Sequence, residues 1–273
     1  MNNSTIGASV SMASLQQRLD IIADNIANMN TNGYKSKEGS FEDVLTRVQQ
    51  QSTDYNQPGR SMPLGFNIGF GVRVPDVATN WEEGTLQETG NPTDLALQGN
   101  GLFGVQVNGA TAYTRQGDFH FVPDASNAEN MMLVDNTGNP VLNTEGNPLT
   151  VPANVSAAID EKGRVLTKTG ENDPVQVTGA IMIVEPLSKS ALRAVDGNFY
   201  VLPEGVTAGQ AFIQRAPGEA AGVGVRSGYL EQSNVDLSKE MTEMMQIQRT
   251  YQLAARALSS SDQMLGLANS MRG

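Results

Sequence analysis

The sequence predicts an α+β protein: a discontinuous helical domain of coiled-coil type, contributed by both termini, and a central all-β domain of short strands. Three observations predict it. Apolar residues near each end recur in alternating steps of four and three, the mark of a helix with one apolar seam. The long middle changes to period two, broken by glycine-containing turns at short intervals, as short strands require. The 273 residues, 39% apolar with 28 Gly and 12 Pro, are enough to bury a core and rich in turns.

At the N-terminal end the apolar positions run Ala8, Met12, Leu15, Leu19, Ile22, Ile26 and Met29. The spacing predicts a helix of about 25 residues, about 37 Å long. Asn30-Thr31-Asn32-Gly33 ends it, with Gly33 or Asn32 able to take the left-handed conformation that closes a helix. At the other end Asn234 or Asp236 can cap a helix whose stripe reads Leu237, Met241, Met244, Ile247, Tyr251, Ala254, Leu258, Ser261, Leu265 and Ala268. Apart from one three–three step at Met244 to Ile247, this stripe also alternates four and three, over about 34 residues or about 50 Å. Asn25 and Asn28 are polar residues inside the first seam region: they either fix register as buried asparagines or face solvent. The expected division is residues 1–35 as the N-terminal helix of the helical core domain and 36–80 as an extended connector. Residues 81–230 form the β domain and 231–273 the C-terminal helix of the core domain.

In the middle, Val105-Gln106-Val107 and Ala110 to Tyr113 flank Asn108-Gly109 and read as a hairpin. Phe119, Phe121, Met131 to Val134, Val165, Val175 to Val177, Ile181 to Val184 and Phe199 to Val201 read as further strand pieces. Gly90-Asn91-Pro92, Gly138-Asn139-Pro140 and Gly146-Asn147-Pro148, with Asp160 to Gly163 as a looser relative, read as corners between strands.

Composition excludes whole classes of chemistry. A net charge of −11 argues against a nucleic-acid partner, because phosphate binding needs a basic surface. The ends sum to 0 (residues 1–35) and −1 (230–273), and the middle to −10. Without cysteine there are no disulfides or thiolate sites, and with His120 alone, imidazole chemistry is improbable. The first fifteen residues lack a basic segment and a continuous apolar core, so a cleaved secretory signal is not expected. Ala180 to Val184 is the longest apolar run of the middle, far short of a membrane span.

The candidate motifs have plain structural readings. Gly99-Asn100-Gly101-Leu102-Phe103-Gly104 spells a dinucleotide fingerprint, yet a strand and hairpin follow it where a helix is required, so a glycine corner is expected. In Asp118-Phe119-His120-Phe121, alternation puts the two Phe on one face and His120 with Asp118 on the solvent face. Glu82–Glu83 and Asp160–Glu161 are carboxylate pairs without the aromatic platforms of a sugar cleft, Trp81 being the single tryptophan. Asp135 to Asn139 resembles a calcium loop, but its twelfth position is Gly146, which supplies no ligand. Neither a cofactor nor a metal site is expected. The Met-rich stripe of the C-terminal helix (Met241, Met244, Met245, Met264) suits ordinary core or an adaptable interface equally.

Several blocks carry a family resemblance. LDIIADNIANMNTNGYK (19–35) resembles the N-terminal motif of bacterial flagellar rod and hook proteins. FEDVL (41–45), GFNIGFGVRV (65–74), GTLQETGNPTDLALQGNGLFGV (84–105) and YTRQGDF (113–119) are similar to the family's connector and its entry into a β domain. SGYLEQSNVDLSKEMTEMMQIQRTYQLAARALSSSDQML (227–265) resembles its C-terminal signature, and the distal-rod type is the nearest. The polar N-terminus MNNSTIGASVSMASL and the acidic loop Asp124 to Asn130 depart from that type's pattern.

The resemblance implies a non-enzymatic structural subunit of the flagellar basal body, outside the cytoplasmic membrane, exported uncleaved through the flagellar type III apparatus. It implies a hollow helical tube of identical copies, with other rod and hook subunits as neighbours. A narrow seam leaves such helices marginal alone, so the expected assembly residues are Leu15, Leu19, Ile22, Ile26 and Met29, with Leu237, Met241, Met244, Tyr251 and Leu258 opposite. The competing readings are a proximal-rod or hook-type relative, a secreted carbohydrate-active enzyme, and an adaptor or adhesin whose helices pair only within one chain.

Overall fold

The computed structural model describes residues 2–39, 42–43, 47–49, 66–68, 72–73, 77–124, 127, 129–168, 174–189, 192–195, 198–203, 205–214 and 223–271. In chain order the first elements are α1 (Asn2–Ala27), β1 (Lys37–Gly39), β2 (Glu42–Asp43), β3 (Arg47–Gln49), β4 (Phe66–Ile68), β5 (Val72–Arg73) and β6 (Val77–Thr79). Then come β7 (Leu86–Glu88), β8 (Leu95–Gln98), β9 (Leu102–Val107), β10 (Ala110–Thr114), β11 (His120–Pro123), β12 (Asn130–Val134) and β13 (Thr150–Pro152). They are followed by β14 (Ser156–Ile159), β15 (Arg164–Lys168), β16 (Gln176–Ala180), β17 (Ile183–Pro186), β18 (Arg193–Val195) and β19 (Phe199–Val201). The last are α2 (Ala208–Ala211), β20 (Phe212–Gln214), β21 (Gly224–Ser227), β22 (Tyr229–Glu231) and α3 (Leu237–Ser270). The protein is α+β, with a long helix toward each end and many short strands. Two compact units emerge: Met1–Ala27, Lys37–Asn80 and Asp236–Gly273 in one, Asn28–Ser36 and Trp81–Val235 in the other.

In the helical unit α1 and α3 run antiparallel, since Asn25 bonds Glu240 while Arg18, earlier in α1, bonds Glu243, later in α3. Leu15, Ile22 and Ile247 form the buried seam, with Leu19, Ile26, Met244 and Tyr251 packed against it. Asp236 caps α3, its Oδ1 accepting the amides of Ser238 at 2.9 Å and Lys239 at 3.2 Å. Short antiparallel ribbons β1–β6, β2–β5 and β3–β4 complete this unit.

Two expectations about the end of α1 need correction. The helix stops at Ala27, so Met29 lies beyond it, in a stretch where the Thr31 amide bonds the Asn28 carbonyl at 3.1 Å. The run Asn28 to Gly33 is poor in helix formers, and its Asn and Thr side chains favour turns. Gly33 does adopt φ +67°, but several residues past the helix end. Its glycine is required by a close approach: a Cβ there would sit 2.6 Å from the backbone of Arg115.

The β unit centres on a six-stranded antiparallel sheet in the order β18-β19-β10-β9-β17-β20. Period-two alternation sends its residues to two apolar clusters. Phe103, Val105, Ala112, Ile183 and Phe199 join the larger one with Leu95, Leu133, Val141 and Val165, where Phe103 meets Phe119 edge-on at 5.1 Å. Leu102, Tyr113, Val184, Tyr200 and Phe212 form the other, with Trp81 packed against it. The remaining strands make the sheets β11-β12-β13 and β14-β15-β16 and the pairs β21-β8 and β22-β7.

The expected hairpin is β9–β10, turning through Asn108 and Gly109 at φ +51° and +83°, both left-handed as a type I′ turn demands. Gly90, Gly138, Gly146 and Gly163 all have positive φ at the four expected corners. The G-x-G-x-x-G stretch leads into strand β9. Asp135 is the centre of an Asx turn, its Oδ1 accepting the Thr137 and Asn139 amides at 2.9 and 2.7 Å.

His120 is exposed as alternation requires. Asp118 is not: it precedes β11, pairs by a backbone bridge with Asp94, and buries an Oδ1 that has no hydrogen-bond partner. Alternation fails there because residue 118 is not yet in the strand.

Gly117 is the tightest crossing, where a Cβ would fall 1.6 Å from the Leu95 carbonyl oxygen. Gly117→Ala is expected to cost about 3 kcal/mol or more through forced backbone displacement. Gly90→Ala, with open space but φ +72°, is expected to cost only about 1 kcal/mol. Urea unfolding followed by Trp81 fluorescence checks both.

Candidate functional site

Each unit contains one arrangement that exceeds ordinary packing. In the helical unit it is the face shared by α1 and α3. Leu15, Leu19, Ile22 and Ile26 meet Met244, Ile247 and Tyr251 there. Leu237 and Leu258 are half-buried outside that cluster, and Met241 is 50% exposed. Glu240 occupies the position expected of Met241. Counting Glu240, Met244, Ile247, Tyr251, Ala254 and Leu258 restores the strict four–three alternation that an apolar-only count breaks.

Glu240 is held by Asn25, which is 1% exposed. Its Nδ2 donates to Glu240 Oε1 at 3.2 Å and to the Lys37 carbonyl at 2.9 Å, while its Oδ1 accepts the Lys37 amide at 2.9 Å. The side chain thus pairs with β1 as a neighbouring strand would. Burial raises the Glu240 carboxyl above its ordinary range, against the lowering effect of the Asn25 bond. Beside this face an open groove of about 850 Å³ is lined by Leu15, Arg18, Glu243, Gln246, Ile247 and Thr250.

The β unit holds a buried charge cluster that sequence reasoning did not single out. Glu231, the last residue of β22, has a side chain 1% exposed; those of Lys35 and Arg115 are 2% and 4% exposed. Lys35 Nζ lies 2.6 Å from Glu231 Oε1 and donates to the Glu82 carbonyl, also at 2.6 Å. Arg115 Nε donates to Glu231 Oε2 at 2.5 Å. The remaining guanidinium nitrogens donate to the carbonyls of Gly99, Gly101 and Leu97 at 2.7, 2.5 and 2.8 Å. The Gly84 amide donates to Glu231 Oε1 at 2.9 Å. Burial pushes the Glu231 carboxyl up, but the charges of Arg115 and Lys35 and their hydrogen bonds outweigh it and hold it below its ordinary value. The signal available in the sequence was indirect: Lys35, Arg115 and Glu231 each fall inside a block that resembles the family.

Among the described residues no group of three or more His, Asp or Glu could hold a metal ion. Nor is any helix of the described residues long and apolar enough to cross a membrane.

Known proteins resemble the chain along its whole length. Residues 9–35 match the family described as flagella basal body rod protein, and residues 96–167 match the flagellar hook protein FlgE/F/G D1 domain. Residues 226–271 match the flagellar basal body rod FlgEFG protein C-terminal family. The chain is 31% identical to the flagellar hook-basal body complex protein FlhP of Bacillus subtilis, over the full length of both. It is 32% identical to the flagellar basal-body rod protein FlgG of Caulobacter vibrioides and 33% identical to that of Borreliella burgdorferi, over 97% of each chain.

Acid should act on the β unit in two opposite ways. Glu231 has a folded pKa below its ordinary 4.5, so its contribution is complete above about pH 4.5 and lost as pH falls through the folded value. Asp118, raised from 3.8 by burial and by the nearby Asp135 and Asp94, subtracts stability as pH rises through its folded value. Asp118→Asn is therefore expected to stabilise by about 1 kcal/mol at pH 7, with the gain gone below about pH 3.8. Glu231→Gln is expected to cost about 3–5 kcal/mol at pH 7, since it strands two buried cations. Urea midpoints measured from pH 3 to 8 read both effects.

Proposed function

The chain belongs to the flagellar basal-body rod and hook protein family, most like its distal-rod members, and is a structural subunit of the rod; on that premise we propose that α1 and α3 are its assembly elements. In this reading they pair as a coiled coil, dock on the same helices of neighbouring copies, and build a hollow helical shaft. Leu15, Leu19, Ile22, Ile26 and Met29, with Leu237, Met241, Met244, Tyr251 and Leu258, are the proposed assembly residues. The functional parts are residues 1–35 and 231–273 as the axial core, 36–80 as connector and 81–230 as the outer β domain.

The observation that carries this reading is the surface α3 leaves uncovered. Met241, Met245, Leu253, Met264 and Leu267 are each at least half exposed while α1 is already in place. Large apolar side chains on a helix of this length call for a further partner. A contact between unlike surfaces that does not close on itself produces an open helical polymer. Other rod and hook subunits are the proposed neighbours at either end. Export through the flagellar type III apparatus, without cleavage, is the proposed route outside the cytoplasmic membrane. The rod role calls for no chemistry, and the protein is proposed to have no enzymatic activity.

The test is a concentration series of the purified full chain by light scattering and circular dichroism. Mass rising with concentration supports assembly; a monomer at every concentration supports the adaptor reading instead. Ile22→Asp, placing a charge at a seam position 3% exposed, is expected to cost several kcal/mol in the helical unit. It should abolish polymer while β-unit unfolding stays unchanged. Normal polymer formation by that variant would remove the seam from the assembly surface.

A further inference from the structure

We propose that Asn108 is a site of spontaneous covalent modification: its side chain cyclises onto the Gly109 nitrogen and opens to aspartate and isoaspartate. The chain's other Asn-Gly pairs are held in the amide form. The step favours asparagine followed by glycine, because a Cβ on the second residue would crowd the attack of its nitrogen on the Asn side chain. The sequence contains three such pairs, Asn32-Gly33, Asn100-Gly101 and Asn108-Gly109. The fold puts them in three different situations.

Asn32-Gly33 is locked at the nucleophile. Gly33 is buried, its amide donates to the Glu231 carbonyl at 2.7 Å, and a Cβ there would lie 2.6 Å from the Arg115 backbone. Asn100-Gly101 is locked at the side chain and on both flanks. Asn100 Oδ1 accepts from Lys189 Nζ at 2.8 Å, and the carbonyls of Gly99 and Gly101 accept from Arg115 Nη1 at 2.7 and 2.5 Å. Ring formation rotates the peptide between the two residues, and at both pairs that rotation works against these hydrogen bonds. Asn108-Gly109 stands in the open instead. The ladder of β9 and β10 ends at the Val107–Ala110 pair, so the Gly109 nitrogen lies beyond it. Both turn residues are exposed, and a Cβ on Gly109 would meet nothing within 4 Å.

The chemistry needs only water. A base in solution takes the Gly109 amide proton, the nitrogen bonds to Asn108 Cγ, and the Cγ–Nδ2 bond breaks to release ammonia. Water then adds to one of the two carbonyls of the ring. Opening on one side leaves an aspartate at position 108; opening on the other routes the main chain through the side chain as isoaspartate. Departure of ammonia makes the change irreversible, so the converted fraction records time since folding. Each product adds a negative charge to a middle segment that already sums to −10. Isoaspartate also lengthens by one carbon a two-residue turn whose φ angles of +51° and +83° match the twist of its strands.

The test is peptide mapping by mass spectrometry of the purified full chain, aged at mildly alkaline pH both folded and in guanidinium chloride. Fragmentation within the tryptic peptide 74–115 separates Asn100 from Asn108, and peptide 19–35 reports Asn32. In denaturant all three pairs are expected to convert. In the folded chain Asn108 is expected to convert at least about tenfold faster than Asn32 and Asn100, which react only through local opening. Isoaspartate should be among its products. Folded Asn108 converting no faster than the other two, or giving aspartate without isoaspartate, overturns the assignment. Asn108→Gly, which a type I′ turn accepts, is expected to remove the acidic species that ageing produces on a native isoelectric gel. That species persisting undiminished in the variant overturns it as well.

Discussion

One buried carboxylate organises the β unit. Glu231 accepts hydrogen bonds from Lys35, Arg115 and the Gly84 amide with its side chain, and from the Gly33 amide with its carbonyl. Three stretches distant in sequence therefore converge on one residue. The desolvation cost of such a group is several kcal/mol, and it is met only where geometry is good and every lone pair is used. Arg115 extends the same logic, spending its other donors on carbonyls 97, 99 and 101. The glycines follow from this convergence: Gly33 and Gly84 lie where a Cβ would strike the Arg115 backbone and the Gln232 carbonyl. A charge cluster of this kind fixes which strand meets which, while the apolar clusters around Phe103 and Tyr200 supply the driving force.

The helical unit is built on the opposite principle. Among the described residues its seam buries Leu15, Ile22 and Ile247 with four partly buried neighbours. An apolar seam alone does not set register, because sliding by a heptad would match apolar to apolar again. Asn25 removes that freedom. Its amide is committed to Glu240 on one helix and to both backbone groups of Lys37, and a shift in register would orphan a buried polar group at a cost of about 1–3 kcal/mol. The polar pair at Asn25 and Glu240 therefore specifies the pairing of α1 with α3 and contributes little to its strength.

The legible parts of the sequence were those set by local geometry. Helix periodicity is local, so α3 emerged at the expected length with Asp236 as its cap. Turn chemistry is local too, so the Asn108-Gly109 hairpin and the four glycine corners lie where they were expected. The missed features depend on distant partners. Asn234 was an equally good cap candidate until Ser36 and the Glu82 carbonyl claimed its side chain. Gly33 read as a helix stop, but its reason is the backbone of a residue far along the chain. Met241 looked apolar and in phase, whereas Glu240 faces α1 because Asn25 waits there. No count of apolar spacing can reveal a buried Lys–Glu–Arg cluster, since each member alone looks like surface charge.

The two units also differ in what they leave unsatisfied. The cluster at Glu231 is paired on every side, and the large buried side chains from Phe103 to Val165 belong to the β unit. On α3 the imbalance runs the other way, with Leu267 65% and Met264 63% exposed. Apolar side chains at that exposure forgo about 1–2 kcal/mol each relative to full burial, a free energy that contact with another surface can recover. Methionine is well suited to that contact, because its unbranched thioether adapts to neighbours that differ slightly from copy to copy. In the proposed shaft, cohesion then resides in helices that are incomplete alone, while the β unit keeps its shape without neighbours.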